Sequence, residues 1–160
     1  MGKLSLMERI TKTLATCCLA VLLGACGGNS MIRGEPPQVT INSLAKTAAG
    51  LSLQLRFRNI NQEPLQLSRA NFTFTLDDHP FAVNLQAMTL SLDASTSEIG
   101  TFSLPLPENI DNRLNAVEAG EVASLQHELK GEVVDQNGNN LKFSFRGHIY
   151  AVPGRPGQFR

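Results

Sequence analysis

From Gln38 onward, apolar and polar residues alternate with a period of two. Leu51, Leu53, Leu55 and Phe57 are interleaved with Ser52, Gln54, Arg56 and Arg58. Successive side chains of an extended chain point to opposite faces, so this run predicts a strand with one buried and one wet face. Phe72, Phe74 and Leu76 alternate with Thr73 and Thr75 in the same way, and Phe81, Val83 and Leu85 continue the pattern. Met88, Leu90 and Leu92 follow on the opposite parity, which predicts a bulge or a break between two strands. Phe102, Leu104 and Leu106 form another candidate strand, as do Leu125 to Val133 and Leu141 to Ile149. With Val39-Thr40-Ile41 the chain carries roughly eight short candidate strands, the mark of a sandwich or barrel.

The segments between them carry turn chemistry. Asp77-Asp78-His79-Pro80 separates two strands, and Asp135-Gln136-Asn137-Gly138-Asn139-Asn140 separates the last two. Its Asn137-Gly138 step suits a hairpin, because both residue types tolerate positive φ. One segment departs from period two. Between Glu108 and Gly120, Ile110, Leu114 and Val117 recur at i, i+4 and i+7, predicting one short amphipathic helix. The expected inward set is Leu53, Leu55, Phe57, Phe72, Phe74, Leu76, Phe102, Leu104, Leu125, Leu129, Val133, Phe143, Phe145 and Ile149. The expected fold class is therefore all-β, a seven- to eight-stranded antiparallel sandwich with one short helix. Its domain spans 38–152, followed by a tail at 153–160.

The first 37 residues read differently. Lys3, Arg9 and Lys12 precede the apolar stretch Leu14 to Leu23. That stretch is about half the roughly 20 residues a membrane-spanning helix needs, and with its basic flank it fits a secretory signal peptide. It ends in Leu23-Gly24-Ala25-Cys26, which resembles the bacterial lipobox. The resemblance implies cleavage between Ala25 and Cys26, acylation of Cys26, and a signal peptide at 1–25. Several acyl chains give stable anchoring where one is marginal, at about 0.8 kcal/mol per buried methylene. Gly27-Gly28-Asn29-Ser30 and Gly34-Glu35-Pro36-Pro37 then read as a flexible tether over 26–37. Gly27 stands where an aspartate signals inner-membrane retention in Gram-negative lipoproteins. The resemblance therefore implies the outer membrane, facing the periplasm.

Composition narrows the function class. The 14 basic residues balance the 14 acidic ones, and no Lys/Arg cluster appears along the chain, so it does not read as a nucleic-acid binder. With 42% hydrophobic residues it is not a disordered chain. Loss of Lys3, Arg9, Lys12 and Glu8 with the signal leaves 11 basic against 13 acidic residues, a formal charge of −2. Cys17 and Cys18 leave with it, so the domain itself holds no thiol.

The run Leu51 to Arg58, ending in Asn59-Ile60-Asn61 with Pro64-Leu65 behind it, resembles group 2 late-embryogenesis-abundant proteins. These carry the water-stress and hypersensitive-response domain. Asn59 and Asn61 match the asparagines of the family's Asn-Pro-Asn step, with Ile60 in place of the proline. Asn71 to Leu76 matches the strand that follows, and the glycine often found after the next hairpin strand has no counterpart between Gly50 and Gly100. The resemblance implies a sandwich similar to fibronectin type III and a protective role under water stress. On physical grounds alone, Asn-x-Asn after a strand is first a turn former, with ligand binding by the amides as the sharper alternative.

Catalytic constellations do not assemble. No histidine pair has zinc-ligand spacing, and no nucleophile elbow, phosphate loop or dinucleotide fingerprint is present. No metal or cofactor is expected. His127, on the apolar parity between Leu125 and Leu129, reads as a buried, hydrogen-bonded structural histidine before a ligand. Asp77-Asp78 reads as a solvated turn. Arg56, Arg58, Lys130, Lys142 and Arg146 share the wet parity. They form either a basic face for lipid headgroups or polysaccharide, or ordinary solvation interleaved with Glu128 and Glu132. The expectation is a non-enzymatic, lipid-anchored envelope protein protecting client proteins or membrane surfaces. The alternative is a periplasm-facing binding or assembly module for another envelope protein or an apolar ligand.

Overall fold

The alternation in Leu51 to Phe57 becomes the middle of a sheet. In the computed structural model, which describes residues 34–160, Leu51, Leu53, Leu55 and Phe57 are buried while Arg56 and Arg58 are exposed. They belong to β2 (Gly50–Arg58), which pairs antiparallel with β1 (Gln38–Thr47) on one side and β5 (Ser97–Leu104) on the other. A short β8 (Gln158–Phe159) extends this sheet beyond β1, giving the order β5-β2-β1-β8. The second sheet has the order β4-β3-β6-β7, from β3 (Leu65–Leu76), β4 (His79–Leu92), β6 (Leu125–Asp135) and β7 (Asn140–Ile149). Every pairing is antiparallel. The result is an all-β sandwich with the fibronectin type III-like strand order, plus one helix, α1 (Glu108–Glu118), between β5 and β6.

The core fills the space between the sheets. Apart from Phe143 and Phe145, which are half-buried, the whole expected inward set is buried. Phe72 and Phe102 meet edge to face across the two sheets at 4.8 Å, a favoured aromatic geometry. Gly131 lies in register with Phe72 on one side and Phe143 on the other, and their ring centroids approach to 6.4 Å. A Cβ on Gly131 would lie 2.3 Å from the Asn71 carbonyl oxygen and 2.4 Å from Phe72 Cβ, so only glycine fits there. On α1, Ile110, Leu114 and Val117 are buried as their spacing predicts, and Gly120 at φ 75° closes the stretch. Lys46 Nζ fastens the helix to β1 through Asp111 and Asn115, both at 2.6 Å.

Of the two expectations for the parity change between Leu85 and Met88 the structure shows the bulge, and one other feature, the C-terminal segment, differs from the sequence expectation. The runs 81–85 and 88–92 are one strand, β4, whose register against β3 shifts between Ala70 and Phe72. Leu85, at φ 40°, absorbs the parity change as a bulge. Residues 153–160, expected as a tail, fold back instead. Tyr150 and Arg160 exchange main-chain hydrogen bonds of 2.8 and 3.0 Å, and β8 pairs Phe159 with Leu44, burying the Phe159 ring completely. A single apolar residue near a chain end has no period, so its burial is visible only in the fold.

Candidate functional site

The two asparagines of the Asn59-Ile60-Asn61 turn are buried, at 0% and 4% exposure, and fully engaged. Asn59 Nδ2 donates to the carbonyls of Glu63 (2.8 Å), Leu92 (3.2 Å) and Asp93 (3.1 Å). Asn59 Oδ1 accepts from the Asn61 main-chain N–H at 2.9 Å and from Asn61 Nδ2 at 3.0 Å. Asn61 then reaches Glu35: its Nδ2 donates to the Glu35 carbonyl and its Oδ1 accepts from the Glu35 N–H, each at 2.9 Å. The pair forms a clasp that ties the start of the β2–β3 connection to the β4–β5 turn and to the segment entering β1. Its amide donors and acceptors bond within the protein, the arrangement of a structural turn. Cys26, Ala25, the signal peptide and the first part of the tether lie outside the described residues.

His127 is 3% exposed, on β6 beneath Gly147 of β7, with the Phe145 ring at 5.5 Å and the Phe74 ring at 6.2 Å. Burial holds its pKa down at about 4, with the neighbouring His148 charge acting in the same direction. It is the expected buried histidine with one difference: Nδ1 has no hydrogen-bond partner among the described residues. The Phe74 and Phe145 rings and Gly147 pack against it, so the neutral form is favoured.

Asp77 and Asp78 sit at φ 48° and 65°, making the two-residue turn between β3 and β4, and Asp77 bonds Arg113 of α1. Asp135 closes the β6–β7 turn by accepting from the Asn137 and Asn139 N–H groups, both at 2.8 Å, and from Asn139 Nδ2. Burial alone would raise the Asp135 pKa, but these hydrogen bonds outweigh it and hold the carboxyl below its usual value. Among the described residues, no group of three or more His, Cys, Asp or Glu side chains is placed to hold a metal ion. No described helix is long and apolar enough to cross a membrane.

The basic residues expected on one wet face fall on two. On the outer face of the second sheet, Glu128 bonds Lys130 at 2.8 Å and also bonds Arg146, and both contacts hold its pKa down. Glu132 lies in register with Lys142. On this face acids interleave with the cations, Glu128 and Glu132 among Arg69, Lys130, Lys142 and Arg146.

Arg56 and Arg58 stand on the other sheet. There the outer rows pair Ser52 with Ser103, Gln54 with Thr101 and Arg56 with Ile99. A register shift between Ile41 and Ser43 turns Asn42 and Ser43 to the same side, where both donate to Gln54 Oε1, at 3.1 and 2.8 Å. Arg56 Nη2 donates to Asn42 Oδ1 at 2.7 Å. Beside this network an open groove of about 410 Å³ runs along β1 to Gln158, Arg155 and Arg160. The sequence signal for it was the parity change from Ile41 to Leu44, the same signal that marks Leu85.

Neither a family model nor a curated protein matches the chain. Among solved structures it is similar to a protein from Archaeoglobus fulgidus at 13% identity, covering 72% of this chain and 96% of that one with a TM-score of 0.44. It is also similar to an Arabidopsis thaliana protein solved in solution, at 12% identity, covering 83% and 93% with a TM-score of 0.44. Likenesses this distant carry no activity across, and the sandwich stands on its own strand order.

Proposed function

We propose that this chain is a lipid-anchored, non-enzymatic envelope protein with a late-embryogenesis-abundant group 2 type domain, protecting client proteins or membrane surfaces when water is withdrawn. The observation that carries the reading is the clasp. Asn59 and Asn61, the residues on which the family resemblance rests, are the buried tie of this sandwich. Asn61 also grips Glu35, near the end of the segment that leads from Cys26 into β1. The lipobox Leu23-Gly24-Ala25-Cys26 supports the anchor, and Gly27 supports the outer membrane facing the periplasm.

Two measurements test the parts separately. Mass spectrometry of the mature amino terminus should find an acylated Cys26, and an unmodified Cys26 or a retained Met1 overturns the anchor. Deletion of the gene should lower survival after drying or osmotic shock, with rescue by the wild-type chain. Unchanged survival across those stresses overturns the protective role while leaving the anchor untouched.

A second reading, an envelope binding or assembly module, has its own observation. Among the described residues β4 is an edge strand, carries no Asp, Glu, Lys or Arg from His79 to Leu92, and exposes Leu85 by 60%. Edge strands are usually protected by charge, so an uncharged one suits strand addition by a partner. Recovery of one stoichiometric partner from solubilised envelopes favours this module, and many weak clients favour protection.

A further inference from the structure

The strands of β5-β2-β1-β8 place cations but no acid on their outer face. β1, β2 and β8 carry no Asp or Glu, and the acid of β5, Glu98, is in register with Phe57 on the inner parity. Arg56, Arg58, Arg155 and Arg160 are all exposed, and none of them forms an ion pair among the described residues. Elsewhere acids stand among the cations: Asp111 bonds Lys46, Asp77 bonds Arg113, Glu128 bonds Lys130 and Arg146, and Glu132 lies in register with Lys142, while Arg69 of β3 forms no ion pair among the described residues. Arg155 and Arg160 are about a hundred residues from Arg56 in sequence. The fold-back of the C-terminal segment onto β1 brings them to the groove that Asn42 and Gln54 also line.

We propose that this face binds an anionic polysaccharide lying along the groove beside β1. Three features choose that occupant. The unanswered charges of this face are all arginine, whose planar fork pairs two hydrogen bonds with one carboxylate, sulfate or phosphate group. Around them stand amides and hydroxyls, Asn42, Ser43, Gln54 and Thr101, the groups that bond sugar hydroxyls. The strands of this face offer little of the buried apolar and aromatic anchorage on which protein interfaces depend, since Ile99 is the one large apolar residue that β1, β2, β5 and β8 expose. The proposal depends on neither the anchor nor the stress role.

The test is binding of the full chain in non-ionic detergent to polygalacturonate and to heparin, with neutral dextran, a single-stranded oligonucleotide and phosphatidylglycerol vesicles alongside. Both acidic polysaccharides should bind, dextran should not, and affinity should fall several-fold between low and physiological salt. Replacing Arg56, Arg58 and Arg155 by Gln should weaken binding at least tenfold. Ser52→Asp, which adds an acid to the face and removes no described contact, should weaken it severalfold. Lys130→Gln with Lys142→Gln, a comparable charge change on the other sheet, should leave it unaltered. Equal loss from the two sets of variants, undiminished binding by the arginine variant, or tighter binding to the oligonucleotide or the vesicles overturns the proposal.

Discussion

Replacing Asn59 by alanine should cost this protein a large part of its stability, and the amount follows from the clasp. The side chain makes about four hydrogen-bond equivalents, because two amide hydrogens are shared among three carbonyls and Oδ1 accepts twice. Truncation removes three buried bonds, those from the Asn61 N–H, from Asn61 Nδ2 and to the Leu92 carbonyl. A buried polar group left unpaired costs about 1–3 kcal/mol, whereas the Glu63 and Asp93 carbonyls, in partly exposed bonds, regain water. The expected loss is about 4 kcal/mol. For a domain of this size that is roughly 12–20 °C in Tm.

Asn61→Ala keeps the Asn59 contacts to the β4–β5 turn and gives up mainly the partly exposed Glu35 pair, so about 2 kcal/mol is expected. Asn59→Asp preserves shape but turns a carboxylate oxygen toward three carbonyls, and at pH 7 it should be at least as damaging as alanine. Urea unfolding of a soluble form beginning after Cys26, followed by circular dichroism, gives the three values. A loss below about 1 kcal/mol for Asn59→Ala, or Asn61→Ala as the worse of the pair, refutes the reasoning.

Three further outcomes are expected. His127 is held neutral with its pKa near 4 against 6.5 for an ordinary histidine, so the unfolded chain binds a proton that the fold refuses between those values. Stability is therefore full above about pH 6.5 and falls by about 2–3 kcal/mol as pH drops toward 4, and unfolding curves across that range should show His127→Leu losing this dependence. Gly131→Ala should cost at least about 3 kcal/mol, because the new Cβ meets the Asn71 carbonyl and Phe72, whereas Gly138→Ala, in open space at φ 83°, should cost only about 1–2 kcal/mol of backbone strain. Phe159→Ala should cost about 3–5 kcal/mol in thermal or urea unfolding, the value for a fully buried ring and not for a residue in a loose tail.

What the sequence determined by itself was everything governed by a local period. Alternation fixes which side of β2, β3 or β6 is apolar, and burying that side leaves the chain no choice of face. The i, i+4, i+7 spacing did the same for α1. The turn residues were equally local: Asp77-Asp78 and Asp135 to Asn139 tolerate or bond the backbone conformations they adopt. The resemblance of Leu23-Gly24-Ala25-Cys26 to a lipobox is local too, and these residues lie outside the described ones.

Only the tertiary structure decided what depends on neighbours far apart in sequence. It joined two apparent strands into β4, because the β3 partner runs straight past the bulge at Leu85. It drew Phe159 into the core, since one ring near a chain end is buried only when β1 offers an edge to pair with. It made Asn59 and Asn61 a clasp by bringing Glu35, Leu92 and Asp93 to their amides. It separated basic residues of one parity onto two sheets, one whose outer face interleaves acids with them and one whose outer face has none. Strand order, which no period encodes, decides which charges find a partner.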